Sequence, residues 1–213
     1  EGIFVSHEHS DHIAGLQQLL KRFDIPVYTK QGTWREIQDK LIVPKNRLIE
    51  LTKGSLTLGS LIVEPFSVSH DAADPIGINV FAGNDKATIV TDTGVISDDI
   101  LRRIDDTTLL VLEANYDPHM LRFGPYQPFL KQRVASDEGH LSNEMAAQAL
   151  LMMKRPDFMQ VILAHRSENN NNSVLVTQTI GKMLVDGGVR IGPEMKLQHG
   201  QPNEIVSIQS VKR

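Results

Sequence analysis

Residues 6–12, "SHEHSDH", hold three of the chain's eight histidines, His7, His9 and His12, interleaved with Glu8 and Asp11. Imidazole nitrogens and carboxylate oxygens are the donors that bind divalent cations when no thiolate is present. Buried together, such groups need a cation or hydrogen-bond partners to offset the loss of water. In an extended segment alternate side chains share a face, so His7 and His9 can address one ion. Asp11 and His12, past the turn, can reach a neighbouring one. Further ligand types close apolar runs: His70 ends "LIVEPFSVSH", Asp92 ends "ATIVTD" and His165 ends "MQVILAH". Strand ends are where an open α/β sheet places its binding crevice. Cations held there would support hydrolysis, because they lower the pKa of bound water and neutralise charge on a carbonyl or phosphoryl oxygen.

The elements that must position these residues can be read from periodicity. "GIFVS" (Gly2 to Ser6) predicts a buried strand, and Ser10 or Asp11 caps a helix with apolar Ile13, Leu16, Leu19, Leu20 and Phe23. "PVYT" predicts a strand and Thr33 to Leu41 a helix. From Arg47, "RLIEL", "LIVEPFSVSH", "IGINVFAG" and "ATIVTDTG" read as a meander of mostly antiparallel strands. Alternation then resumes. "SDDILRRI" is helical, "TLLVLEAN" extended, and Ser142 to Met153 a helix with Ser142 as its cap. Met159 to His165 predicts a strand, Ser173 to Gly188 a helix closed by glycines, and Met195 to His199 and Glu204 to Ile208 the last strands.

The chain has 213 residues, 40% hydrophobic content and no linker-like stretch, which suits one domain over 1–213. It has no cysteine, so disulfides, thiolate ligands and Cys nucleophiles are excluded and any metal sits on His, Asp and Glu. No apolar run reaches the roughly 18 to 20 residues of a membrane span, and a cytoplasmic protein is expected. A net charge of −4 argues against a broad basic surface, leaving local contacts to nucleic acid. Aromatic residues make up 5%, so stacking platforms for single strands are few; Trp34, Tyr116, Phe123 and Tyr126 are candidates.

The ordered set H-x-H-x-D-H, then His70, Asp92 and His165, resembles the metallo-β-lactamase superfamily. The stretches "FVSHEHSDHIAGL", "TDTGV", "LVLEANYDPHML", "GPYQPFLKQRVASDEGHLSNEMAA" and "ILAHRSENN" are similar to its YycJ/WalJ-like bacterial branch across nearly the whole chain. The resemblance implies an α/β fold, the αββα sandwich, N-terminally incomplete because relatives begin with a further Gly/Ser-rich strand segment. It implies that His7, His9 and His70 hold one metal, that Asp11, His12 and His165 hold another, and that Asp92 bridges them. Two zinc or manganese ions with these ligands leave a centre of about +2, an anion trap in an acidic protein. The branch implies a dinuclear phosphodiesterase, a 5'-to-3' exonuclease on DNA working through a metal-bridging hydroxide. An ester, thioester or lactone hydrolase shares the same ligands, and a regulatory DNA-binding subunit with a structural metal is a third class. Asp11 would also orient the hydroxide. His140 would bind phosphate or protonate the leaving oxygen, or else simply be hydrogen-bonded beside a helix cap. Ser142, Asn143, Arg166, Ser167 and Asn169 are candidate substrate contacts at two helix starts.

Overall fold

Apolar residues at the start of the chain form β1 (Ile3–Phe4), and the next apolar run forms β2 (Val27–Thr29). Between them lie α1 (Ser10–Ile13) and α2 (Leu16–Arg22). A helical crossover returns the chain in the same direction, so β1 and β2 pair in parallel. The same rule acts again through α3 (Gln31–Ile37), which delivers β3 (Leu48–Glu50) parallel to β2. This corrects the expected meander at "RLIEL": β3 belongs to a three-stranded sheet of order β1-β2-β3. The computed structural model describes residues 1–52, 54–202 and 204–208.

The second sheet has seven strands. It begins with β4 (Leu56–Leu58), β5 (Leu61–Ser67), β6 (Ile76–Ala82) and β7 (Asp85–Val90) as antiparallel neighbours. Two of their connections are two-residue hairpins in which Gly59 and Gly83 take positive φ. The helix α4 (Asp98–Ile104), capped by Ser97, leads to β8 (Leu109–Glu113), parallel to β7. Two short helices follow that the periodicity did not predict, α5 (Pro118–Phe123) and α6 (Pro128–Val134). Each opens on a proline, which is preorganised for a first helical turn, and each is too short to show a repeat. Then come α7 (Asn143–Met152), β9 (Met159–Ala164), α8 (Ser173–Asp186) and β10 (Met195–His199). The sheet order is β10-β9-β8-β7-β6-β5-β4. No strand forms over 204–208; that segment is tied to β10 by Gln198 Nε2 donating to the Ser207 carbonyl, a side-chain bond in place of a ladder.

The layers follow from which face of each strand is apolar. Val5, Ile13, Leu16, Leu20, Val27 and Ile37 pack α1 to α3 on the outside of the first sheet. Tyr28, Leu51, Val63, Ile76 and Ile78 fill the space between the sheets. Leu110, Leu112, Val161 and Leu163 meet Ile104, Leu150 and Ile180 of α4, α7 and α8 on the far side. The result is the αββα sandwich. The three-stranded sheet covers the region of Ile78 but leaves its ladder partner Ile89, on the same face, 43% exposed. Among the described residues no helix is long and apolar enough to cross a membrane.

The predicted cap at Ser10 or Asp11 is not made. His9 occupies the cap position with no side-chain bond, and the helix breaks near Gly15, leaving Leu19 and Phe23 largely exposed.

Candidate metal centre

β5, β7, β8 and β9 all point the same way, so their carboxyl ends share one edge of the sandwich. His70 lies three residues beyond β5, Asp92 two beyond β7, and His165 directly follows β9. The turn after β1 brings His7, His9, Asp11 and His12 to the same edge. Asp92 and His165 adopt left-handed backbone, with φ of 57° and 50°. Asp and His tolerate that region, yet it costs about 1–3 kcal/mol per residue and persists where surrounding structure enforces it.

For His7, His12, His70 and His165, hydrogen bonds on the far side of the ring decide which nitrogen faces the centre. His70 Nδ1 donates to the carbonyls of Glu138 and Gly139, both at 3.1 Å. Carbonyls only accept, so His70 Nε2 keeps its lone pair, and it stands 3.2 Å from His9 Nδ1. The Ser6 hydroxyl lies 3.1 Å from His7 Nδ1 and 3.2 Å from His12 Nδ1, which turns both Nε2 atoms inward. His12 Nε2 is 3.3 Å from Asp92 Oδ2, and His165 Nε2 is 3.3 Å from Asp92 Oδ1. Asp11 Oδ2 is 3.5 Å from His12 Nε2 and 3.6 Å from His165 Nε2. Donor atoms of His7, His9 and His70 thus lie within 4.8 Å of one another, as do those of Asp11, His12 and His165, and those of His7, His12 and Asp92.

Two atoms test whether a cation fits. His7 is 1% exposed and its Nε2 has no hydrogen-bond partner; Asp92 Oδ2 is buried in the same condition. Buried polar atoms are normally satisfied, and a nitrogen and an oxygen orphaned side by side are what a cation would satisfy. The all-nitrogen and oxygen donor set suits a divalent metal.

Electrostatics agree. Burial, with the His12 imidazole close by, holds His7 down at about 3, so its ring is neutral and could serve as a ligand. Burial lowers His70 in the same way. Burial would raise Asp92, but the close imidazoles of His12 and His165 keep it below the usual carboxylate range. His165 is pushed down by burial, yet the hydrogen bond and charge of Glu113 lift it to about 9. In a metal-free protein a proton settles where the surrounding carboxylates draw positive charge.

Glu113, the last residue of β8, was not singled out in the sequence, although it closes an apolar strand as the ligands do. It is fully buried. Its Oε1 accepts from His140 Nδ1 at 2.7 Å and His165 Nδ1 at 2.9 Å. Its Oε2 accepts from the backbone of Thr93 at 3.1 Å and Leu141 at 3.3 Å. With both oxygens doubly engaged, Glu113 holds ligands in place instead of serving as one. Ser6 and Glu113 are therefore positioning residues that the sequence did not reveal. Gly94 permits the close packing behind them: a Cβ there would stand 2.2 Å from the Ser136 carbonyl, on the loop that carries Glu138, Gly139 and His140.

A cleft of about 1000 Å³ opens beside the centre, walled by Asp11, His140 and His165 at one end and reaching Arg166, Ser167 and Asn169. Asp11 is the exposed member of the donor set. Ser142 and Asn143 are not in the cleft. Ser142 caps α7 by accepting from Met145 N, and Asn143, fully buried, exchanges side-chain bonds with Asn171. Their expected substrate contact gives way to a scaffold role, because burial has already spent their polar atoms. Arg133 stands at the mouth, paired with Asp71, whose Oδ1 lies 3.5 Å from His70 Nε2.

Comparison with known proteins matches residues 1–165 to the β-lactamase superfamily domain. The chain is 36% identical over 212 residues to the exodeoxyribonuclease YycJ of Bacillus anthracis, covering 99% of this chain and 80% of that protein. It is 31% identical over 208 residues to the exodeoxyribonuclease WalJ of Streptococcus pneumoniae, covering 95% and 77%. Among solved structures it resembles the metallo-β-lactamase fold protein YhfI of Bacillus subtilis, with a TM-score of 0.66, 17% identity, and 92% and 74% of the two chains covered.

Proposed function

We propose a DNA exonuclease function for this chain, which belongs to the β-lactamase superfamily and is a metal-dependent hydrolase. The observation that carries the reading is the convergence of seven donor residues, far apart in sequence, on one edge of the sandwich beside a cleft. The names of the two bacterial relatives support nucleic acid as the substrate. His7, His9 and His70 would hold one zinc or manganese ion, Asp11, His12 and His165 a second, with Asp92 shared. Bound there, the cations supply a water acidified to near-neutral pKa and neutralise charge on the phosphoryl oxygens.

The chain's own residues do the rest. Asp11, kept ionised against the pull of burial by His12 and His165, stands at the cleft and orients the attacking water through its carboxylate. His140 donates its Nδ1 hydrogen to Glu113, which leaves Nε2 to carry a proton to the departing oxygen. Arg166, Ser167 and Asn169 take backbone phosphates along the cleft wall. The direction of digestion is read as 5'-to-3'.

The test is digestion of a 5'-phosphorylated duplex labelled at one end or the other, with zinc and manganese supplied separately. The 5' label is expected as mononucleotide from the first turnovers, and the 3' label as a shrinking ladder. Asp11→Ala is expected to lower the rate by about 10²- to 10⁴-fold with the circular dichroism spectrum retained. Rapid thioester or lactone turnover without nucleotide release would overturn the reading.

A further inference from the structure

We propose that the α5–α6 hairpin is a stacking platform for the bases of single-stranded nucleic acid leading into the metal centre, an inference that rests on the nuclease reading. Phe123 at the end of α5 is 67% exposed and Phe129 in the first turn of α6 is 70% exposed. Neither is needed to hold the hairpin down. Leu121 and Val134, with Tyr126 and Leu130 against them, make that attachment to Tyr116. Single exposed apolar residues are ordinary on a protein surface. Here two phenyl rings stand in a basic setting.

Residues 118–136 contain Arg122, Lys131 and Arg133 and no acidic residue, in a chain whose net charge is −4. Arg122 lies over the Phe123 ring at 5.3 Å, and the His119 ring packs on it at 4.6 Å. Lys131 Nζ donates to the Arg122 carbonyl at 2.7 Å, which ties the two helices together and sets cations beside the exposed ring. Prolines at 118, 125 and 128 stiffen the hairpin, so little freedom is lost on contact.

The surface is continuous with the site. Tyr126, Leu130 and Arg133 line the cleft that ends at Asp11 and His140. Phe129 and Arg133 are four residues apart and share a face of α6, one at the mouth and one a turn outside it. A strand whose phosphates run along Lys131 and Arg122, with Arg133 held by Asp71 at the mouth, would lay its bases on Phe129 and Phe123. Aromatic faces beside a positively charged track are how proteins hold single strands without reading sequence. Paired bases in a duplex offer no such faces, so the platform favours unpaired ends.

The experiment uses the full zinc-loaded chain and a short phosphorothioate-linked single strand carrying 2-aminopurine, whose emission falls when the base stacks. Phe123→Ala and Phe129→Ala are each expected to weaken binding by roughly 5- to 150-fold, to restore the emission and to leave the melting temperature unchanged. Phe123→Trp and Phe129→Trp are expected to keep both binding and quenching. Arg122→Ala is expected to flatten the salt dependence with less effect on quenching. Alanine variants that bind like the parent would overturn the platform, and if the parent still releases nucleotides the nuclease reading stands without it. A parent that neither binds the strand nor digests DNA overturns both. A change in sedimentation of the alanine variants, with strand binding intact, would make this face a protein contact and also overturn the proposal.

Discussion

Glu113→Gln keeps the shape of the side chain and replaces one acceptor by a donor. In the native protein Oε1 receives two imidazole N–H groups and Oε2 two backbone N–H groups. If the amide nitrogen of glutamine takes the Oε2 position, it faces the N–H groups of Thr93 and Leu141. If it takes the Oε1 position, it faces the Nδ1 hydrogens of His140 and His165 and drives those hydrogens to Nε2, the nitrogen the centre needs free on His165. In the first arrangement two buried donors lose their acceptor, at about 1–3 kcal/mol each, so the metal-free fold is expected to lose roughly 2–6 kcal/mol; in the second the amide donates to both Nδ1 atoms and the cost falls on zinc binding. Zinc affinity is expected to fall by about 10- to 100-fold, the usual consequence of removing a partner that orients a ligand. Urea unfolding of the metal-free protein and zinc competition against a chromophoric chelator read the two effects separately. A variant that matches the parent in both would refute the assignment of Glu113 as the residue that fixes the tautomers.

Two further perturbations probe the same centre. His165 sits at about 9 in the metal-free fold, above its unfolded value, so its stabilising contribution is complete below about 6.5 and is lost as pH rises through 9. His7, held at about 3, acts in the opposite sense and costs stability as pH falls from about 6.5. Thermal melts of the metal-free protein are therefore expected to peak near pH 6.5, and zinc affinity to rise from there to pH 9 as the His165 proton is displaced. A flat melting profile, or affinity that falls over that interval, contradicts the arrangement. Gly94→Ala puts a methyl against the Ser136 and Asp137 carbonyls and is expected to destabilise by about 1–3 kcal/mol and weaken zinc binding, because the displaced loop supports His70 and His140. Zinc-dependent melting shifts measure it, and an unchanged shift is the contrary result.

The cluster of donor residues was legible because each member is a residue type with few other reasons to end an apolar strand. His70, Asp92 and His165 announce themselves by that position, and His7, His9, Asp11 and His12 by spacing. Glu113 carries the same signal but lies in a run that reads as an ordinary strand end, and only its neighbours in space show what it holds. Ser6 acts through two histidines, one adjacent and one past a turn, which spacing alone does not disclose. Strand direction was misread at "RLIEL" because composition reports burial and the crossover helix sets direction. Ser142 and Asn143 show the converse error, polar residues at a helix start whose hydrogen bonds are already used within the scaffold. The α5–α6 hairpin was invisible to periodicity, since two helices of one to two turns give no repeat to detect.

Elemental analysis of the reconstituted protein, with the ions placed by anomalous scattering, tests the central claim most directly. Two equivalents per chain are expected, one among His7, His9 and His70 and one among Asp11, His12 and His165, with Asp92 touching both. A single equivalent, or ions bound away from these seven side chains, would contradict it.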